Sequence, residues 1–75
     1  MNETQEKLEE MTEEFIQDLE DRKSTADIDD DNLRENIGAY LEDARHFLAK
    51  EDYIRAFESA VYCSGLLDTE TRLGN

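Results

Sequence analysis

The densest set of potential metal ligands in the chain is the run Asp27-Ile28-Asp29-Asp30-Asp31. Asp27, Asp29 and Asp31 stand at the first, third and fifth places of a calcium-binding loop, and Glu35 at the ninth. Such a loop needs a glycine at the sixth place for its turn and a bidentate glutamate at the twelfth to close the cation's shell. Asn32 and Gly38 occupy those places, so the decisive ligand is missing. The competing reading of the same aspartates is a linker and helix cap, since a carboxylate just before a helix accepts from its free N–H groups. Other groups with reactive chemistry are scarce. His46 and Cys63 are the one histidine and the one cysteine. Together they fall short of the four ligands of a structural zinc site. His46 reads as a surface residue beside Glu42 and Asp43, and Cys63 as a small apolar residue on an inner helix stripe. A nucleophilic thiol needs a base and an electropositive setting, whereas this chain supplies a negative one. Carboxylate pairs such as Glu9 with Glu13 and Glu10 with Glu14 recur at helical spacing. On exposed faces they are solvated and make poor general acids. An inward Glu-x-x-His motif of the di-metal bundles is absent, as is a glycine-rich phosphate loop. No catalytic residue and no cofactor is expected.

The elements that must position these groups are helical. The chain has 75 residues, no proline and three glycines, so little interrupts long helices. Leu8, Met11, Phe15, Ile16 and Leu19 recur at spacings of three and four, with Glu9, Glu10, Glu13, Glu14 and Asp18 between them. This predicts an amphipathic helix over about 3–22, with Arg22 and Lys23 suited to the C-terminal end of its dipole. Residues 24–30 read as a linker. A second helix is predicted over about 29–49 with Asp29 as N-cap, and with Ile28 and Leu33 as a hydrophobic staple. Its apolar face is Leu33, Ile37, Tyr40, Leu41, Ala44, Phe47 and Leu48; Gly38 inside it costs about 1 kcal/mol against alanine. After the short connection Lys50-Glu51-Asp52, a third helix is predicted over about 52–69, fraying beyond Thr69. It carries two stripes: Tyr53, Ala56, Ala60, Cys63 and Leu67, and beside it Ile54, Phe57, Val61 and Ser64. A face that wide is expected to pack against two neighbours. The short second connection makes helices two and three an antiparallel hairpin. The predicted fold is therefore one all-α domain over 1–75, a small three-helix bundle. Most aromatic residues are expected in its core, and Tyr62, off the main stripes, at the surface.

Charge narrows the partners. Asp and Glu number 21 against 8 Lys and Arg, a net charge of -13. Such a chain repels phosphate backbones and anionic membranes, so direct nucleic-acid or membrane binding is not expected. The plain reading of the acidity is a solvated surface suited to a salty cytoplasm; the functional reading is a protein partner with a basic surface. A lone cysteine permits no disulfide within the chain and fits a reducing compartment. No signal peptide or bilayer-length apolar run is read, so the expected location is cytoplasmic.

The second half is the more distinctive. The run Tyr40-Leu41-Glu42-Asp43-Ala44-Arg45-His46-Phe47-Leu48, followed by Asp52-Tyr53-Ile54-Arg55-Ala56-Phe57-Glu58, resembles the archaeal domain-of-unknown-function family 357. The likeness spans about residues 37–67. It implies a small helical bundle in an archaeal cytoplasm with no assigned activity. Glu51 stands where that resemblance leads one to expect a glycine before the Asp-Tyr pair. The stretch also looks like a single tetratricopeptide hairpin, with Tyr40, Ala44, Phe47, Tyr53, Ala56 and Cys63 at its packing positions. Asp43 and Ala60 depart from that pattern, and repeat arrays need neighbouring units.

The function expected on these grounds is a non-catalytic protein-interaction module or accessory subunit, not an enzyme. Glu9, Glu13 and Tyr62 are its candidate contact residues. The alternatives are a small metal-binding protein using Asp27, Asp29 and Asp31, and a homo-oligomer in which a second copy completes a thin core.

Overall fold

Three helices form in the order α1 (Glu3–Thr25), α2 (Asp31–Ala49) and α3 (Tyr53–Leu73). The computed structural model describes residues 3–73, with side chains as far as Thr69. α1 runs three residues beyond the predicted end because Ser24 and Thr25 close its last turn. Ser24 Oγ donates to the Asp21 carbonyl at 2.8 Å, and Thr25 Oγ1 to those of Asp21 and Arg22. The backbone of α3 is helical past the predicted end at Thr69, as far as Leu73; residues 74 and 75 lie outside the described residues.

The start of α2 corrects the predicted cap by one residue. Asp30, not Asp29, is the N-cap: its carboxylate accepts from the N–H groups of Asn32 and Leu33 at 2.9 and 3.2 Å. The staple pairing of Ile28 with Leu33 moves out of register with it. Ile28 is buried in the core all the same. Its carbonyl accepts from the Arg34 guanidinium, which ties the linker onto the first turn of α2.

The α2–α3 connection is a Schellman turn. The Asp52 N–H donates to the Phe47 carbonyl at 2.9 Å and the Glu51 N–H to the Leu48 carbonyl at 3.0 Å. This geometry puts Glu51 in the left-handed region, with φ of 61°. That conformation suits glycine and strains a residue with a Cβ. Asp52 then caps α3 from the position just before it, its carboxylate accepting from the Arg55 N–H at 3.3 Å.

Pairwise contacts fix the directions. Tyr40 of α2 meets Tyr62 of α3, and Arg55 of α3 lies over the Phe47 ring of α2, so these helices are antiparallel. Phe15 meets Phe57, and Arg22 meets Asp68, so α1 and α3 run parallel. Up-down-up packing of this kind gives an elongated body of 43 × 19 × 16 Å. The core holds Ile16 and Leu19 from α1, Ile28 from the linker, Ile37, Leu41 and Ala44 from α2, and Ala60, Cys63 and Leu67 from α3. Tyr53 and Ala56 are buried beside the α2–α3 turn.

Several expected core residues lie elsewhere. On α1 the buried line is Thr12, Ile16 and Leu19, at helical spacing, while Met11 is exposed. A residue one position from that line is rotated by about 100° away from it. Tyr40 also sits at the surface, and so do Ile54, Phe57 and Val61, three of the four members of the second α3 stripe. With α1 and α2 both in place, α3 still has apolar surface left over.

Candidate interaction surface

The two flanks of α3 differ in what they expose. On the flank toward α2, Tyr40 and Tyr62 stack at 5.7 Å between ring centroids with an interplanar angle of 23°. Both rings remain accessible to water, so the pair forms a small aromatic plate over the hairpin seam. On the flank toward α1, Ile54 is 71% exposed and Val61 48%, with Phe57 between them. The spacing 54, 57 and 61 places them in one row. Across the seam, Phe15 of α1 meets Phe57 at 5.5 Å, and Met11, one turn earlier on α1, is 62% exposed. Scattered apolar residues at a surface need no explanation; a contiguous row of large ones does.

The candidate contact residues do not share one surface. Tyr62 belongs to the α2–α3 seam, whereas Glu9 and Glu13 lie on α1. Glu13 acts electrostatically on Arg45 of α2, and Glu9 on Tyr53 at the start of α3. Met11, Ile54, Phe57 and Val61 are not among the candidate contact residues, because their helical spacing assigns them to a core; the structure leaves them exposed. The one signal was the width of the α3 face.

A shallow groove between α1 and α2 gathers cations in an otherwise acidic molecule. Lys23, Arg34 and Arg45 line it with Glu20, Asp31, Glu35 and Glu42. Arg45 is held there by Glu20, with Nη2 to Oε1 at 2.6 Å and Nε to Oε2 at 3.1 Å. These two hydrogen bonds donated by the guanidinium hold the Glu20 carboxyl below the usual glutamate range, and they raise Arg45 in turn. Gly38 lies under Lys23, whose Nζ is 3.4 Å from where a Cβ would stand. An added methyl there would make ordinary van der Waals contact with the end of the lysine side chain.

The residues singled out for chemistry are dispersed. Asp27, Asp29 and Asp31 are all exposed, and Asp30 among them is engaged as a cap. Among the described residues no group of three or more His, Cys, Asp or Glu side chains converges as metal ligands would. His46 is exposed, edge-on to Phe47 at 5.7 Å. Cys63 is fully buried, and burial pushes its thiol pKa up, against a smaller opposing pull from Arg22 and Lys23. Burial likewise raises Tyr53, with help from the negative charges of Glu9 and Glu51. No helix among the described residues is long and apolar enough to cross a membrane.

Fold and surface together define a small three-helix bundle with an acidic exterior and an uncovered apolar row. The chain belongs to the family described as Protein of unknown function (DUF357), whose family model matches residues 3–75. The match takes in α1 as well as the hairpin, a wider span than the residues 37–67 over which the motif resemblance runs. No curated protein and no solved structure matches the chain.

Proposed function

We propose that this protein is a non-catalytic interaction module or accessory subunit that binds a basic protein in the cytoplasm. The observation that carries the reading is the uncovered row Ile54, Phe57 and Val61 on α3, continued by Met11 on α1. Large apolar side chains left in water favour association, because covering them removes apolar area from solvent. The charge of -13 then selects among partners, steering toward basic surfaces and away from phosphate backbones. The side chains with catalytic potential support the same reading. Cys63 is sealed in the core, where burial pushes its thiol pKa up, and His46 faces solvent beside a phenyl ring.

The test is recovery of a complex from the native host through an affinity-tagged chain, followed by reconstitution from the two purified proteins. A stoichiometric complex that survives size exclusion and weakens as salt rises supports the reading. Recovery of the bait alone at the host's own salt overturns it.

A further inference from the structure

We infer that the α1–α3 flank is a docking groove for one amphipathic helix of a partner protein, apolar along its buried stripe and flanked by Lys and Arg. This rests on the interaction reading above and specifies its surface and its partner. Two parallel helices create a groove on each side of their line of contact. α2 fills one of them, where Ile16, Leu19 and Leu67 meet Ile37 and Leu41. The other is bordered by Met11 and Phe15 on α1 and by Ile54, Phe57 and Val61 on α3, and nothing in the chain's described residues covers it. Its row continues to Gly65, one turn beyond Val61, where an added Cβ would meet nothing within 4 Å. From Ile54 to Gly65 the row is straight and about 16 Å long. It therefore matches anchors spaced three, four and seven residues apart on an incoming helix. Such a helix would lie on α1 and α3 as α2 does on the far side, completing a four-helix arrangement.

Charge decides between a foreign helix and a second copy. Glu14 and Asp18 stand beside Met11 and Phe15, and Glu58 one turn after Ile54, all exposed. Asp68 closes the far end, bonded to Arg22 at 2.8 Å. Lys7, one turn before Met11, is the other cation on that flank of α1. A second copy would bring its own acidic rim, and a further charge of -13, against this one. A helix with Lys or Arg beside its apolar stripe meets the rim with opposite charge.

The experiment titrates the purified protein with three synthetic peptides of about 18 residues, long enough for five helical turns. One is a Leu/Lys helix with leucines at amphipathic spacing, one is its scrambled form, and one is a Leu/Glu helix of the same pattern. Methyl shifts of Met11, Ile54 and Val61 are followed by NMR. The expected result is saturable shifts at these methyls with the Leu/Lys helix, weakening with salt, and at least about tenfold weaker binding of the other two peptides. Gly65→Gln is the decisive variant. It adds a good helix former in open space and so leaves the free protein at least as stable, yet it should weaken binding by about tenfold. Ala39→Ser, an exposed position on α2 away from this flank, should leave binding unchanged. Equal binding of the scrambled peptide, unaltered binding to Gly65→Gln, or a dimer in sedimentation that already shields these methyls would each overturn the proposal. A native complex that tolerates Gly65→Gln and Val61→Asn would sink this surface while leaving the interaction reading intact. Absence of any native complex sinks the interaction reading itself.

Discussion

The α2–α3 hairpin and the attachment of α1 are built on different physical principles. Along the hairpin, Ala44, Ala56, Ala60 and Cys63 are all fully buried, so two backbones approach closely over small side chains. Both ends of its turn are capped, by the Schellman bonds and by Asp52. α1 brings fewer buried apolar groups, Ile16 and Leu19, and one buried hydroxyl, Thr12, without a hydrogen-bond partner. Charged pairs reach across to both of its neighbours, Glu20 with Arg45 and Arg22 with Asp68. The hairpin is thus specified by shape and local geometry. α1 is placed by a modest apolar stripe and by ion pairs that water and salt weaken.

The largest test of that contrast is Ala44→Leu. Forcing extra methylenes into the tight seam should cost about 1–3 kcal/mol, read from urea unfolding monitored by circular dichroism. A neutral result would mean the seam has slack and is no closer than the α1 contacts. Next comes the turn. Glu51→Gly removes a Cβ from a left-handed residue and should stabilise by about 1 kcal/mol in the same melts. Loss of stability there would show that Glu51 makes a compensating contact. In α1, Thr12→Val deletes a buried hydroxyl that lacks a hydrogen bond while keeping the shape, and should stabilise by up to about 1 kcal/mol. A loss of that size would reveal a bonded hydroxyl. The smallest effect is expected from Glu20→Gln. Arg45 holds the Glu20 pKa below its ordinary value, so the pair's contribution is full above the unfolded-state pKa. That contribution disappears as pH falls through the lower, folded-state pKa. Both partners are about one-third exposed, which limits the gap between wild type and variant at neutral pH to a few tenths of a kcal/mol, up to about 1. The gap should close on acidification; a gap independent of pH would assign the effect to packing.

Much of this architecture is legible in the sequence, and the failures share a cause. Helical periodicity places all three helices, because spacing of apolar residues reports directly on which side of a helix is dry. It does not report what dries it. Ile54, Phe57 and Val61 read as core by spacing, yet two neighbouring helices leave them in water. An inward face and a face awaiting another molecule carry the same pattern. Met11 and Thr12 show the complementary limit. Spacing and polarity assign Met11 to the apolar stripe and give Thr12 no place in it, whereas the buried line runs through Thr12, Ile16 and Leu19. The cap was missed by one residue because Asp29, Asp30 and Asp31 can each accept the same bonds. In the structure Asp30 takes the cap, two residues after the buried Ile28. Conversely, the glycine that the family resemblance leads one to expect at position 51 has a physical reason visible only in the structure: the backbone there adopts the conformation glycine favours, with glutamate bearing the strain.

An odd number of helices running up, down and up has a mechanical consequence. Residue 3 and residue 73 stand at opposite poles of a body 43 Å long. Tension applied through the two ends would pull α1 and α3 past each other along their shared axis. It would load the Phe15–Phe57 contact and the Arg22–Asp68 bond together, in shear, rather than peeling them apart one at a time. Anything attached to both poles would be held apart by the length of the bundle.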